Sequence, residues 1–243
     1  MTFDPNTLLT AEEFAQPRTP AELSYWVEDK CRTFAQHREA KEWILLHKGL
    51  FQKFYEEIYP LSLFVNHLYA GRADIKCAPN LDNRDFDATI TDYSVSPPSE
   101  IKIEITSAIE KNPHLRMEYF VEHGHVNVWG PLSSSGTKKT GGHKIHVENQ
   151  AIAHNELLGK NLSFIREAVK RKTDKSTKVH KYGQGHVLIV FFDDWQWFEP
   201  VRDGNILKDF MERNVLTSHI DFAALYILGL SGKSFIRFDL IKI

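Results

Sequence analysis

Residues 1 to 20 are mostly polar and hold Pro5, Pro17 and Pro20, which predicts an extended arm. From Glu22 to Tyr59 apolar positions recur with helical spacing among good helix formers, and the break at Gly49 predicts two helices. Pro60 should close or kink the second, with helix resuming from Leu61 to Tyr69, and Ala73 to Cys77 suits a short strand. Period-two alternation in 85–92 and in 100–106 predicts two strands joined by a turn around Pro97-Pro98, a hairpin pattern. His114 to His123 reads as a helix, Val126 to Trp129 as a short strand, Ser133 to Gly142 as a flexible basic loop and Lys144 to Val147 as a strand. Asn155 to Lys172 is the clearest amphipathic helix, with Leu158, Leu162, Ile165 and Val169 on one stripe and bases on the other. The apolar run from His186 to Phe192 suits a strand buried on both faces, and a helix near Ile206 to Arg213 precedes strands at Ala223 to Leu228 and Ser234 to Leu240.

The order helix, three strands, helix, strand, helix, two strands is an α/β order with no internal repeat and no linker. We divide it only into an N-terminal arm and helix, 1–40, and an α/β body, 41–243. With 42% hydrophobic and 26% charged residues the 243-residue chain falls in the ordinary globular class, long enough for a core without staples. Cys31 and Cys77 are too few for a disulfide framework and read as packing residues. No run approaches the roughly 20 apolar residues of a membrane span, and the N-terminus lacks a secretory pattern. The expected setting is cytoplasmic, with no membrane partner.

The net charge of -2 conceals a division. From Lys138 to Tyr182 eleven Lys and Arg face four Asp and Glu, a net of +7, leaving -9 for the remainder. Such a segment reads as a phosphate-contacting surface, with Lys138, Lys139, Lys170, Arg171 and Lys181 as nucleic-acid-binding candidates, or as a solvated helix face and loop.

The hairpin supplies candidate chemistry. Glu100, Lys102, Glu104 and Thr106 share one strand face, while Ile101, Ile103 and Ile105 share the other. A turn centred between Val95 and Ser96 sets Asp87 opposite Glu104. Opposed side chains have Cβ atoms about 4.5–5.5 Å apart, so two carboxylates there repel unless one is protonated or a cation sits between them. A hard divalent ion such as Mg²⁺, with Mn²⁺ as a substitute, meets that need. An offset register would instead leave both acids in solvent.

Phe86-Asp87-Ala-Thr-Ile and Ile103-Glu104-Ile-Thr106, in this order of elements, resemble the PD-(D/E)XK nuclease superfamily over roughly residues 50 to 195. The resemblance implies a restriction endonuclease-like three-layer fold, a mixed central sheet flanked by helices. It implies that Asp87 and Glu104, with the main-chain carbonyl of Ile105, hold Mg²⁺, and that Glu57 is an outer acid or second-ion ligand. Thr106 stands where the family usually has Lys; Lys102, Lys170 and Lys172 are the candidates to replace it. Glu100-Ile-Lys102 also fits the motif and ranks second, because Glu100 would pair near residue 91. The implied activity is metal-dependent phosphodiester hydrolysis, an endonuclease acting on DNA more than RNA. The alternative is a catalytically degenerate member that binds nucleic acid or a protein partner. A homodimer is left open.

Other features read as structural. His123, His125, His143 and His146 form the densest histidine group, but their spacing favours surface or hydrogen-bonding roles over zinc. Core packing is expected for Trp195 or Trp197 rather than a stacking platform. No Gly-x-Ser-x-Gly elbow supports acyl transfer.

Overall fold

The computed structural model describes residues 4, 7–82, 86–110, 113–127, 130–135, 144–148, 150–179, 182–195, 198–217 and 220–240, with side chains left aside for 113 and 175–179. Eight strands lie in two sheets among these residues. The main sheet has the order β1 (Ile75–Pro79), β2 (Ala88–Asp92), β3 (Ser99–Ser107), β6 (Gly183–Phe192), β7 (Phe222–Gly229), β8 (Phe235–Asp239). The β1, β2 and β3 pairings are antiparallel, β3 to β6 and β6 to β7 are parallel, and β8 returns antiparallel to β7. The chain is therefore an α/β protein with a mixed six-stranded sheet.

Helices cover both faces. From Val187 to Phe192 in β6 and from Phe222 to Leu228 in β7 every position is apolar, so odd and even residues feed different cores. Ile103, Ile105, Val187, Ile189 and Phe191 pack in one cluster with Val27, Phe34, Phe54 and Leu61 of the N-terminal helices. Leu188, Val190 and Phe192 pack in another with Leu158, Leu162, Ile165 and Val169 of α7 (His154–Val179) and Leu207 and Met211 of α8 (Pro200–Asn214). Each large side chain so buried is worth about 1.5–3 kcal/mol, which makes the amphipathic stripe of α7 the attachment of that layer.

The N-terminal layer differs from expectation. The arm is no free extension: α1 (Ala11–Ala15) buries Phe14, Leu9 joins the same core, and Arg18 pairs with Cys77 as an antiparallel bridge. Two apolar side chains among polar ones were enough to dock it. Helices α2 (Pro20–Gln36), α3 (Arg38–Leu45) and α4 (Gly49–Lys53) follow, then a π-helical turn over Phe54–Ile58 that runs directly into α5 (Tyr59–Tyr69). Pro60 neither closes nor visibly interrupts this run. Proline has no N–H to donate, and the wider turn before it, where the Tyr59 N–H reaches the Phe54 carbonyl, absorbs the change in pairing.

Smaller departures have similar causes. Ser133–Ser135, expected in a loop, belongs to β4 (Leu132–Ser135), paired with β5 (Lys144–Val147). This ladder rests on backbone pairing between largely exposed residues, which hydrophobic alternation does not reveal. Val126 and Asn127 form no strand, and the Asn127 carbonyl instead accepts from buried Arg116 on α6 (Pro113–His123). Cys77 is buried but Cys31 is exposed. Trp195 is 63% exposed rather than in the core, because the Asp193 carboxylate takes its N–H and turns the chain outward. Trp197 and His143 lie outside the described residues. No helix among the described residues is long and apolar enough to cross a membrane.

Candidate active site

The hairpin register places the site. Ala88 pairs with Ile103 and Thr91 with Glu100. One step beyond the last pair, Asp87 enters β2 opposite Glu104, and its N–H donates to the Ile103 carbonyl at 2.8 Å. The Asp87 Oδ2 accepts the Ile105 N–H at 2.7 Å, so the carboxylate is tied to the strand that carries Glu104. Glu104 is 7% exposed and makes a close ion pair with the Lys172 ammonium. Lys172 comes from the last third of α7, which crosses over the sheet between β3 and β6.

Glu57 reaches the same place from the opposite layer. It lies in the π-helical turn, which packs on β3. Its Oε1 is 3.7 Å from the Lys53 ammonium, while its Oε2 is buried with no hydrogen-bond partner. Burial pushes the Glu57 carboxyl up to about 7; the Asp87 charge adds to the rise and Lys53 opposes it. Burial also raises the Asp87 carboxyl, against the Ile105 N–H and the nearby Lys172 and Lys53 charges. Three acids and two lysines thus gather where the chain enters β2 beside β3, and the two acids whose shifts are resolved are pushed toward protonation. Desolvation disfavours the ionised form, and an added cation would restore it.

The other candidates divide. Ile105 is buried and serves through its N–H. Thr106 is half-buried in register with Val190. The Lys102 ammonium stands 5.2 Å from the Phe86 ring centroid; the amine on Glu104 is that of Lys172. Lys170 is exposed on α7, and Arg171 donates to the Ser107 carbonyl at the end of β3. Lys138, Lys139 and Lys181 lie outside the described residues. Among the described residues no group of three or more His, Cys, Asp or Glu side chains is arranged to hold a metal ion. The donor set of Asp87, Glu104 and Glu57 is nonetheless all hard oxygen, and the orphaned Glu57 Oε2 is a buried acceptor that protein donors leave unmet. That set suits Mg²⁺ or Mn²⁺ and not a thiophilic ion.

Sequence reasoning passed over Lys53 and His47. The i, i+4 spacing of Lys53 and Glu57 was available as a sign. His47 gave none: its Nδ1 is 2.6 Å from Glu56 Oε1, and its backbone is left-handed at φ 52°. Beside it a cavity of about 250 Å³ opens at the carboxyl ends of β3 and β6, lined by Ile44, Leu45, Ile109, Met117 and Phe164 with Glu56, Asn161 and Lys160.

Compared with models of known families, with curated proteins and with solved structures, the chain matches none.

Proposed function

We propose that the protein is a metal-dependent phosphodiester hydrolase of the restriction endonuclease-like, PD-(D/E)XK type, acting on DNA. The carrying observation is the Lys172 amine on Glu104 beside Asp87. It supplies from a helix the cation that Thr106 does not supply from the strand. Asp87 and Glu104 would hold Mg²⁺, with Glu57 as an outer acid; the bound ion lowers the pKa of its water and offsets charge on the phosphate. Asp87 is fixed by the Ile105 N–H, so its other oxygen has a defined position. Lys172 stands where it can orient a water against the phosphate and stabilise the charge that develops there. Exposed Lys170 on the same helix extends a basic surface along which the backbone can lie.

A second reading has its own observation. Glu104 is already paired with Lys172, as in a site that has exchanged a metal for an internal ion pair, so the fold would bind nucleic acid without cutting it. Plasmid cleavage in Mg²⁺ and Mn²⁺ separates the two. The hydrolase reading expects cleavage that falls at least about 10³-fold in Asp87→Ala, Glu104→Ala and Lys172→Ala. Wild-type protein that shifts DNA in a salt-sensitive way and cuts nothing with either ion would establish the second reading and sink the first.

A further inference from the structure

We infer that the cavity beside the carboxylates is a base pocket, which receives one unpaired nucleobase from the strand whose phosphodiester the carboxylates engage. This rests on the hydrolase reading and goes beyond it by assigning a second substrate-binding site.

Three elements build both places. Strand β3 gives Glu104 to the carboxylate cluster and, three residues or about 10 Å further on, Ser107 to the cavity wall. Helix α7 gives Lys172 to the one and Phe164, Asn161 and Lys160 to the other. The π-helical turn gives Glu57 to the cluster and its neighbours Tyr55 and Glu56 to the cavity. A strand held at the carboxylates and extended by about 10 Å along β3 therefore reaches the cavity.

The lining says which part of a nucleic acid that is. Ile44, Leu45, Ile109, Met117 and Phe164 all remain partly exposed around the opening. A volume of about 250 Å³ lies below the roughly 300 Å³ at which drug-sized ligand sites begin, so it fits one ring system rather than a whole nucleotide. Four of the charged groups lining it are spent on one another: Arg116 takes Glu110 through two hydrogen bonds, at 2.6 and 2.9 Å, and His47 takes Glu56; Lys160 stands 5.9 Å from the Phe164 ring centroid and Asp193 accepts the Trp195 N–H. A phosphate would meet one cation, Lys160, beside the Asp193 carboxylate. What remains is hydrogen-bonding capacity at the edge of an apolar slot. Asn161 donates through Nδ2 to the Leu157 carbonyl, which leaves its Oδ1 as an acceptor, and His47 keeps Nε2 after Nδ1 is used. Flat rings with donors and acceptors on their rims are what such a slot takes, and bases drawn out of a stack are read in this way.

The backbone of His47 points the same way. It follows the end of α3 in a left-handed conformation that Gly or Asn adopts at less cost, and it is fixed there by Glu56, itself held by Gln52. A side chain kept at a strained position lines the cavity.

The test measures binding of thymidine and deoxyadenosine by saturation-transfer NMR and calorimetry, with 2-deoxyribose 5-phosphate as the probe that lacks a base. We expect the nucleosides to bind wild type, the sugar phosphate not to displace them, and Met117→Trp to weaken them at least tenfold by filling the slot. Phe164→Ala, which removes the stacking face without adding bulk, is the second variant and should weaken them similarly. His47→Asn should keep or raise Tm while lowering nucleoside affinity. Asp87→Ala should bind nucleosides as wild type does. Nucleosides that do not bind, or that bind equally to folded Met117→Trp and Phe164→Ala, overturn the inference even if the protein cuts DNA. Phe164-dependent nucleoside binding in a protein that cuts nothing would retain the pocket and sink the hydrolase.

Discussion

Two buried carboxylate sites lie on this sheet, and they are built differently. Asp194, just past β6, is 4% exposed and fully met: Oδ1 accepts the Ser231 N–H at 2.7 Å, and Oδ2 accepts the Ser231 and Ser234 hydroxyls at 2.6 and 2.8 Å. It lies so close on Gly229 that a Cβ there would fall 2.0 Å from Oδ2. All its partners come from one turn between β7 and β8, so the carboxylate fastens that turn to β6. Glu57, Asp87 and Glu104 come from three separated elements, and one of their oxygens is buried with no partner. A buried acid kept for structure has each oxygen matched, because an unmatched one costs about 1–3 kcal/mol. Where the fold leaves one unmatched beside another acid, a ligand is the natural complement.

The contrast can be broken at its stronger end first. Asp194→Ala strands two hydroxyls and an N–H in the interior and should lose about 3–5 kcal/mol of unfolding free energy in urea. A loss below about 1 kcal/mol would show that Asp194 is not the fastening described.

Glu57→Gln should move the other way. A carboxyl raised in the folded state holds its proton where the unfolded chain has released it, so stability falls as pH rises from about 4.5 through the folded value of about 7. The penalty is complete above that value, and the amide escapes it. The variant should therefore be more stable by about 3 kcal/mol at pH 8 and by less than about 1 kcal/mol at pH 5. A gain independent of pH would argue against a titrating Glu57.

Lys172→Met tests the cation itself. It leaves Glu104 buried without that ammonium and should cost about 1–3 kcal/mol in EDTA, read as a lower Tm. Millimolar Mn²⁺ should restore more of that loss than it adds to wild type, since a divalent ion takes the vacated role. Equal shifts in both proteins would remove the metal from the argument. The smallest effect belongs to the exposed face: Lys170→Ala should weaken DNA binding similarly across sequences and reduce the salt slope by about 1.

Much of the site was legible because strand periodicity is rigid. Once the turn is placed between Val95 and Ser96, the pairing of Ala88 with Ile103 follows, and Asp87 must then face Glu104. Lys172 could only be named among alternatives, because its arrival depends on how far α7 runs and at what angle it crosses the sheet. Glu57 was visible as an acid on an early helix, but its aim depends on the π-helical turn. Lys53 and Glu56 acquire their partners from that same turn, and His47 from a loop conformation with no sequence pattern of its own. The basic segment was legible only as a run of charge. Of its candidates, Arg171 donates to the Ser107 carbonyl and Lys170 is exposed, while Lys138, Lys139 and Lys181 fall outside the described residues.

By itself the sequence determined the alternation of helices and strands, the hairpin register and the two acids opposed across it, because each depends on local periodicity and on a turn of known length. Only the tertiary structure decided which lysine meets Glu104, which oxygen of Glu57 is left without a partner, and that a cavity opens further along the same strand and helix. Those depend on packing between elements far apart in the chain, where small changes in helix length or crossing angle redirect a side chain by several ångströms.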